Sequence, residues 1–220
     1  MSSPCCCWNV PMPEIIFADD QLVVVSKPAG LLSVPGRGPE KQDCLWRRVQ
    51  EQYPTARIVH RLDQATSGLM VLALNADSHR NLSLQFQNRD TEKRYRARVH
   101  GLPIDDQGSV ELPLRCDWER RPRQMVDHDK GKPALTLWQC IERDEDENTS
   151  LMLLTPITGR SHQLRVHMMA LGHPILGDRF YAPAASAHRY PRMMLHAEQL
   201  AVNHPVHGDK LYFESPADFA

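Results

Sequence analysis

Along this chain apolar and polar residues alternate in short runs more often than they recur at helical spacing, so strands are expected to dominate. The run EIIFADDQLVVVSKPAGLLSVPG predicts a strand, an Asp-Asp turn, a second strand and a Gly/Pro loop. CLWRRVQEQYP places Leu45, Val49 and Tyr53 at helical spacing, with Pro54 as the stop. RIVHRLD predicts a short strand running into a loop, and GLMVLALN a longer buried strand. DSHRNLSLQFQNR predicts an amphipathic helix with Leu82 and Phe86 on one side and Asp77 or Ser78 as its cap. EKRYRARVHG alternates, with Arg94, Arg96 and Arg98 on one face and Tyr95, Ala97 and Val99 on the other. GSVELPL, ALTLWQCIER and SLMLLTPI predict further strands. SHQLRVHMMALG predicts a helix capped by Ser161 and ended by Gly172, and RMMLHAEQLAV and KLYFES predict closing strands.

Neighbouring strands joined by short turns imply antiparallel pairing, so the expected class is α+β: a mixed, mainly antiparallel sheet with a few flanking helices. The acidic stretch ERDEDENT reads as a hairpin turn rather than a boundary. The 220 residues are read as a tail over 1–13 and one compact domain over 14–220, with no S4-type RNA-binding domain ahead of Glu14. No apolar run approaches the ~18 residues of a membrane span, and MSSPCCCWNVPMPE lacks the build of a signal peptide. A cytoplasmic protein with no membrane partner is expected. Cys5, Cys6 and Cys7 are adjacent, which suits neither a disulfide framework nor zinc, so no metal is expected.

Net charge is -1, yet basic residues cluster locally. KRYRAR holds four basic residues and no acid, and RCDWERRPRQ holds four arginines against two acids. Such clusters can bind phosphate, though solvated strand faces look the same. In VHRLDQATSGLMV, His60, Arg61 and Asp63 precede the small-residue turn Ala65, Thr66, Ser67 and Gly68, which allows tight turning and close approach of a ligand backbone. A lone Asp is equally a common turn residue. In TPITGRSHQLRVHMMALGHPILGD, Leu164, Met168 and Leu171 make an apolar face, while His162, Arg165 and Met169 fall on another side. The helix start beside Arg160 offers backbone N–H groups and charge to a phosphate, and Arg165 could pair with a carboxylate. His162 and His167 lie five apart, the wrong spacing for a helical metal pair. Tyr95 is either a core residue or a platform for a flipped base.

Taken together and in order, KPAGLLSVPG, HRLDQATSGLMV, KRYRARVHG and TPITGRSHQLRVHMMALGHPILGDRFY closely resemble the motifs of the RluA-type RNA pseudouridine synthases. The resemblance runs from Glu14 to Phe219. LLSVPGR, CDWERRPRQ and MLHAEQL are similar to the short bacterial subgroup acting on 23S ribosomal RNA and the tRNA anticodon stem-loop; the tail carries no such motif. It implies a single catalytic domain with a central RNA-binding cleft, working without cofactor or metal, as a monomer. The N1–C1′ bond of a uridine breaks, the uracil turns, and C5 bonds to C1′. Asp63 matches the catalytic Asp, as nucleophile at C1′ or as base on the sugar. Tyr95 matches the tyrosine that stacks on the base, and Arg165 the basic partner that holds the carboxylate ionised. Arg61 matches an arginine that fills the space left by the flipped nucleotide, and Leu195 a pocket residue packing near the uracil. His60, Thr66, Arg160 and His162 are expected beside them on the RNA side.

Two other readings compete. A glycosidase would normally need a second acid across the cleft, and only Asp63 has the expected context. A non-catalytic RNA-binding protein or chaperone of the same fold would keep the basic strands and tolerate loss of Asp63.

Overall fold

The computed structural model describes residues 10–219. The Cys5–Cys7 run lies outside the described residues. Where the expected tail begins to be described, Arg48 donates to the carbonyls of Val10 and Pro11.

Strands β1 (Glu14–Ala18) and β2 (Leu22–Lys27) form an antiparallel hairpin. Asp19 accepts the backbone N–H groups of Gln21 and Leu22 and so fixes its turn. Helix α1 (Leu45–Gln50) buries Leu45 and Val49 as the spacing predicts, but it ends four residues before Pro54; the Tyr53 N–H still bonds the Val49 carbonyl. β3 (Arg57–Ile58) leads into the loop over 59–66 and then β4 (Ser67–Ala73), buried at every residue. The cap of α2 (Ala76–Asn88) is Asn75, not Asp77 or Ser78: its side chain accepts from the Ser78 N–H, and both expected residues already lie inside the helix.

β5 (Glu92–His100) is followed by β6 (Gln107–Glu111), the small hairpin β7 (Leu114–Cys116) and β8 (Gln124–Val126), then β9 (Leu135–Asp144) and β10 (Thr149–Pro156). GSVELPL is therefore two strands, divided before Pro113. The acidic stretch is the β9–β10 turn, as expected. α3 (Gln163–Ala170) starts one residue later than predicted, with left-handed His162 rather than Ser161 at its cap. It ends as predicted. Gly172 takes φ 90°, and the N–H groups of Gly172 and His173 bond the carbonyls of Met169 and Met168. The short α4 (Ala184–Arg189), which the apolar pattern does not predict, precedes β11 (Leu195–Asn203) and β12 (Lys210–Glu214).

The main sheet runs β1-β2-β4-β11-β5-β10-β9-β6, with β12 on β11 and β3 on β4. Every pairing is antiparallel except β4 with β11. Residue alternation divides the core. Leu22, Val24, Leu69, Val71 and Leu82 pack one face under α2. Val23, Val25, Met70, Leu45 and Val49 form a second cluster with α1. Ala97, Val99, Met152, Leu164 and Met168 form a third with α3. Tyr95 touches both the α1 and the α3 cluster, and the cleft described next opens beside it.

Candidate active site

Asp63 sits in the loop between β3 and β4, which is clamped from both sides. The Ser33 hydroxyl donates to the Leu62 carbonyl at 2.7 Å and accepts the Leu62 N–H at 3.1 Å. The Gln64 carbonyl accepts from Lys27 Nζ at 3.2 Å and from the Gly30 N–H at 2.8 Å. Lys27 is fully buried, and Nζ also donates to the carbonyls of Pro28 and Leu31. Burial pushes this lysine down to about 7, with the Asp63 charge acting the other way. The KPAGLLS motif is thus the frame of the Asp63 loop. Its one readable signal is a lysine ending a strand that opens with four apolar residues.

Gly68 serves a different approach from the one expected. At φ 110° it lies so close to β11 that a Cβ would meet the Ala197 carbonyl oxygen at 2.3 Å. The backbone it admits belongs to β11, at the parallel pairing of Gly68 with Ala197, rather than to a ligand.

Arg165 projects from α3 and is buried, with 4% of its side chain exposed. Its Nη1 donates to Asp63 Oδ2 at 3.2 Å, while Nε and Nη2 each donate to Asp178 at 2.7 Å. Asp178 is wholly buried and also accepts the backbone N–H groups of Phe180 and Tyr181. A forked pair of this kind fixes a guanidinium far better than one contact does. His162 Nε2 faces the same Asp63 oxygen at 3.8 Å. Among the described residues Asp63 Oδ1 has no hydrogen-bond partner.

The cleft is lined by Asp63, Arg165, Tyr95, Leu195, Thr66, Arg61, Arg160 and His162, and also by Lys93. Eight of the nine predicted site residues therefore converge. Burial, and secondarily the Asp63 charge, raises the Tyr95 phenol well above its usual range, so it keeps its proton. His60 is the exception. Its ring stacks on Phe86 at 4.3 Å between centroids, and Nε2 accepts the Val71 N–H. Burial first, and Lys93 second, push it down to about 3. It is a packing residue. The Arg160 N–H is likewise not offered to a phosphate, because the Gln163 side chain accepts it at 3.0 Å. The Arg160 side chain still reaches the cleft.

The arginine clusters are mostly occupied within the protein. Arg96 forks onto Glu198, Arg115 pairs with Asp127, and Arg120 pairs with Asp117. Arg121 lies over the exposed Trp118 ring, 3.9 Å from its centroid. No three His, Cys, Asp or Glu side chains converge as metal ligands among the described residues.

Asp63 is the one carboxylate lining a cleft whose other charged groups are cations, and the comparisons with known proteins bear on the same motifs. The family model described as RNA pseudouridylate synthase matches residues 21–170. The chain belongs to the RNA pseudouridylate synthase family. It is 53% identical over 209 residues to the dual-specificity RNA pseudouridine synthase RluA of Escherichia coli K12, covering 95% of each chain. It is 52% identical over 209 residues to the RluA of Pasteurella multocida, with the same coverage. Among solved structures, human RNA pseudouridylate synthase domain containing 1 superposes with a TM-score of 0.80 at 29% identity, over 94% of this chain and 84% of that one. Human RNA pseudouridylate synthase domain containing 4 gives 0.74 at 27%, over 93% and 88%. As a member of this family the protein is an isomerase that converts uridine in RNA to pseudouridine. Among the described residues no helix is long and apolar enough to cross a membrane.

Proposed function

We propose that Asp63 is the catalytic carboxylate of this isomerisation, acting in the cytoplasm on stem-loops of both 23S ribosomal RNA and tRNA, as a monomer and without metal or cofactor. The observation that carries the assignment is the pairing of Asp63 with buried Arg165 at 3.2 Å, in a cleft that otherwise presents Arg61, Lys93 and Arg160. The dual target follows the names of the 53% and 52% identical relatives.

Residues 14–220 form the catalytic domain in this proposal, with 1–13 as a tail outside it. The reaction breaks N1–C1′, turns the uracil and joins C5 to C1′. The proton lost from C5 balances the one gained at N1, so no oxidant and no second acid is required. Asp63 approaches the sugar through its free oxygen, Oδ1, while Arg165 holds Oδ2. Tyr95 and Leu195 pack the uracil; a phenol that keeps its proton stacks without bringing a second charge to the base. Arg61 fills the gap left by the flipped nucleotide, with a planar, permanently charged group suited to stacking. Thr66 and His162 border the pocket, and Arg160 meets the backbone.

The test is to incubate bulk RNA from a strain lacking the enzyme with the purified protein and map pseudouridine by a method that reads the mass-silent change. New pseudouridine in both 23S ribosomal RNA and tRNA is expected. Conversion of one class alone would remove the dual target, and conversion by Asp63→Asn would remove Asp63.

A further inference from the structure

His162 has a left-handed backbone, φ 54°, uncommon for a residue other than glycine, and its ring is held on several sides. Its ring stacks on Phe180 at 5.9 Å between centroids and meets Tyr181 edge-on at 5.6 Å. Nδ1 lies 2.6 Å from the Tyr181 hydroxyl. That hydroxyl also accepts the Gln124 N–H at 2.7 Å. On the other side of the ring, Nε2 faces Asp63.

Counting protons decides which nitrogen carries the hydrogen. Burial pushes the Tyr181 hydroxyl up to about 12, so it is protonated at neutral pH. Its oxygen already accepts from Gln124, and the one acceptor for its own proton among the described residues is His162 Nδ1. Burial lowers His162 below the usual histidine range, against the pull of Asp63, so the ring is neutral. A neutral ring that accepts at Nδ1 carries its hydrogen on Nε2.

We propose that Tyr181 is a positioning residue for the reaction: its hydroxyl locks His162 in the Nε2–H tautomer and aims a neutral donor at Asp63 Oδ2. This rests on Asp63 as the reacting carboxylate. The opposite tautomer would turn a nitrogen lone pair toward an anionic oxygen 3.8 Å away and repel it. The locked tautomer instead points a neutral N–H dipole at the oxygen that Arg165 holds, without a second charge. Oδ2 is then the held oxygen and Oδ1 the one directed at the nucleotide.

Two measurements test it. In full-length protein labelled with 15N histidine, the His162 ring should show a protonated Nε2 and an unprotonated Nδ1 at neutral pH. In Tyr181→Phe, which keeps the ring contacts, that preference should weaken toward a mixture, because the Asp63 charge alone then opposes the other tautomer. Its single-turnover rate at saturating stem-loop RNA should fall on the order of tenfold, the scale of one neutral hydrogen bond, with affinity within about twofold. An unfolding midpoint close to wild type confirms that the variant is folded. A wild-type ring protonated on Nδ1, or a folded Tyr181→Phe with an unchanged rate, overturns the proposal. Turnover by Asp63→Asn would instead sink the carboxylate assignment and leave the tautomer result standing.

Discussion

Arg165 carries two carboxylates at once, and they ask different things of it. Asp178 takes the fork and anchors the side chain; Asp63 receives the remaining nitrogen. Asp63→Asn is nearly isosteric but can neither attack nor take a proton, so turnover should vanish. RNA affinity should stay within about tenfold, because phosphate contacts supply most of the binding. Residual turnover of more than about a few per cent, in protein free of the host enzyme, would remove the role of Asp63. Arg165→Met should lower the rate by on the order of a hundredfold, the scale of losing one preorganised charge contact. It also strands Asp178 as a buried, unpaired charge, at a cost of about 3–5 kcal/mol. The double variant Arg165→Met with Asp178→Asn separates the two effects. Asn can still accept the Phe180 and Tyr181 N–H groups, so stability should return while the rate does not. A double variant that recovers the rate would make Arg165 structural. Asp178 was not legible in the sequence, since an Asp after a glycine reads as a turn residue, and only the fold brings it back onto Arg165, thirteen positions earlier.

At the scale of elements, alternation and spacing foresaw most of the strands and helices α1, α2 and α3, because their apolar residues recur at strand or helix spacing; β8, within the arginine-rich stretch, was not foreseen. They failed at the ends and at polar contacts. Asn75 and His162 cap helices where Asp77 or Ser78 and Ser161 were expected, since a shift of the boundary by one to three residues changes the capping residue. α4, which buries only Ser186 and Ala187, has no large apolar residues at helical spacing to announce it. Strand β5 shows why a basic run is ambiguous: alternation gives the faces, but not that β11 sets Glu198 against Arg96. Arg96→Met should therefore leave the salt dependence of RNA binding unchanged and cost about 3–5 kcal/mol of stability, because Glu198 is left buried and unpaired. Arg160→Ala should do the reverse, reducing the slope of log K against log salt by about one. A slope change in Arg96→Met would return that strand to the RNA surface.

His60 links α2 to β4 and adds a pH effect. Its folded value of about 3 lies below the unfolded 6.5, so the unfolded chain binds the extra proton between them. Stability from His60 is therefore full above 6.5 and lost as pH falls toward 3. Gln at this position can still accept the Val71 N–H but does not titrate. Relative to wild type, His60→Gln should gain about 2–3 kcal/mol on going from pH 7.5 to pH 4.5. Equal loss in the two proteins, measured by urea unfolding, would show that His60 does not titrate as its burial implies.

For the whole molecule, a net charge of -1 gives RNA no general attraction, so binding must be concentrated where the cations are. The cleft supplies them: Arg61, Lys93 and Arg160 line it around the single carboxylate. Arg61 is exposed and, among the described residues, makes no ion pair or side-chain hydrogen bond, unlike Arg165 or Arg96. A free, planar cation beside Asp63 can either contact a phosphate or enter the stack that a flipped uridine leaves. The two roles separate on substrate structure. Unstacking a base costs on the order of a few kcal/mol in a folded stem-loop and less in a loosely paired one. If Arg61 fills the gap, Arg61→Ala should weaken binding and slow single-turnover conversion on a stable stem-loop, and the deficit should shrink on a destabilised one. If it only meets a phosphate, the loss should be equal on both and follow salt concentration. Affinity and single-turnover rate for Arg61→Ala on the paired substrates decide between them. Equal loss on both would leave Arg61 a phosphate contact, and the flipped base would then be held from the pocket side alone, by Tyr95 and Leu195.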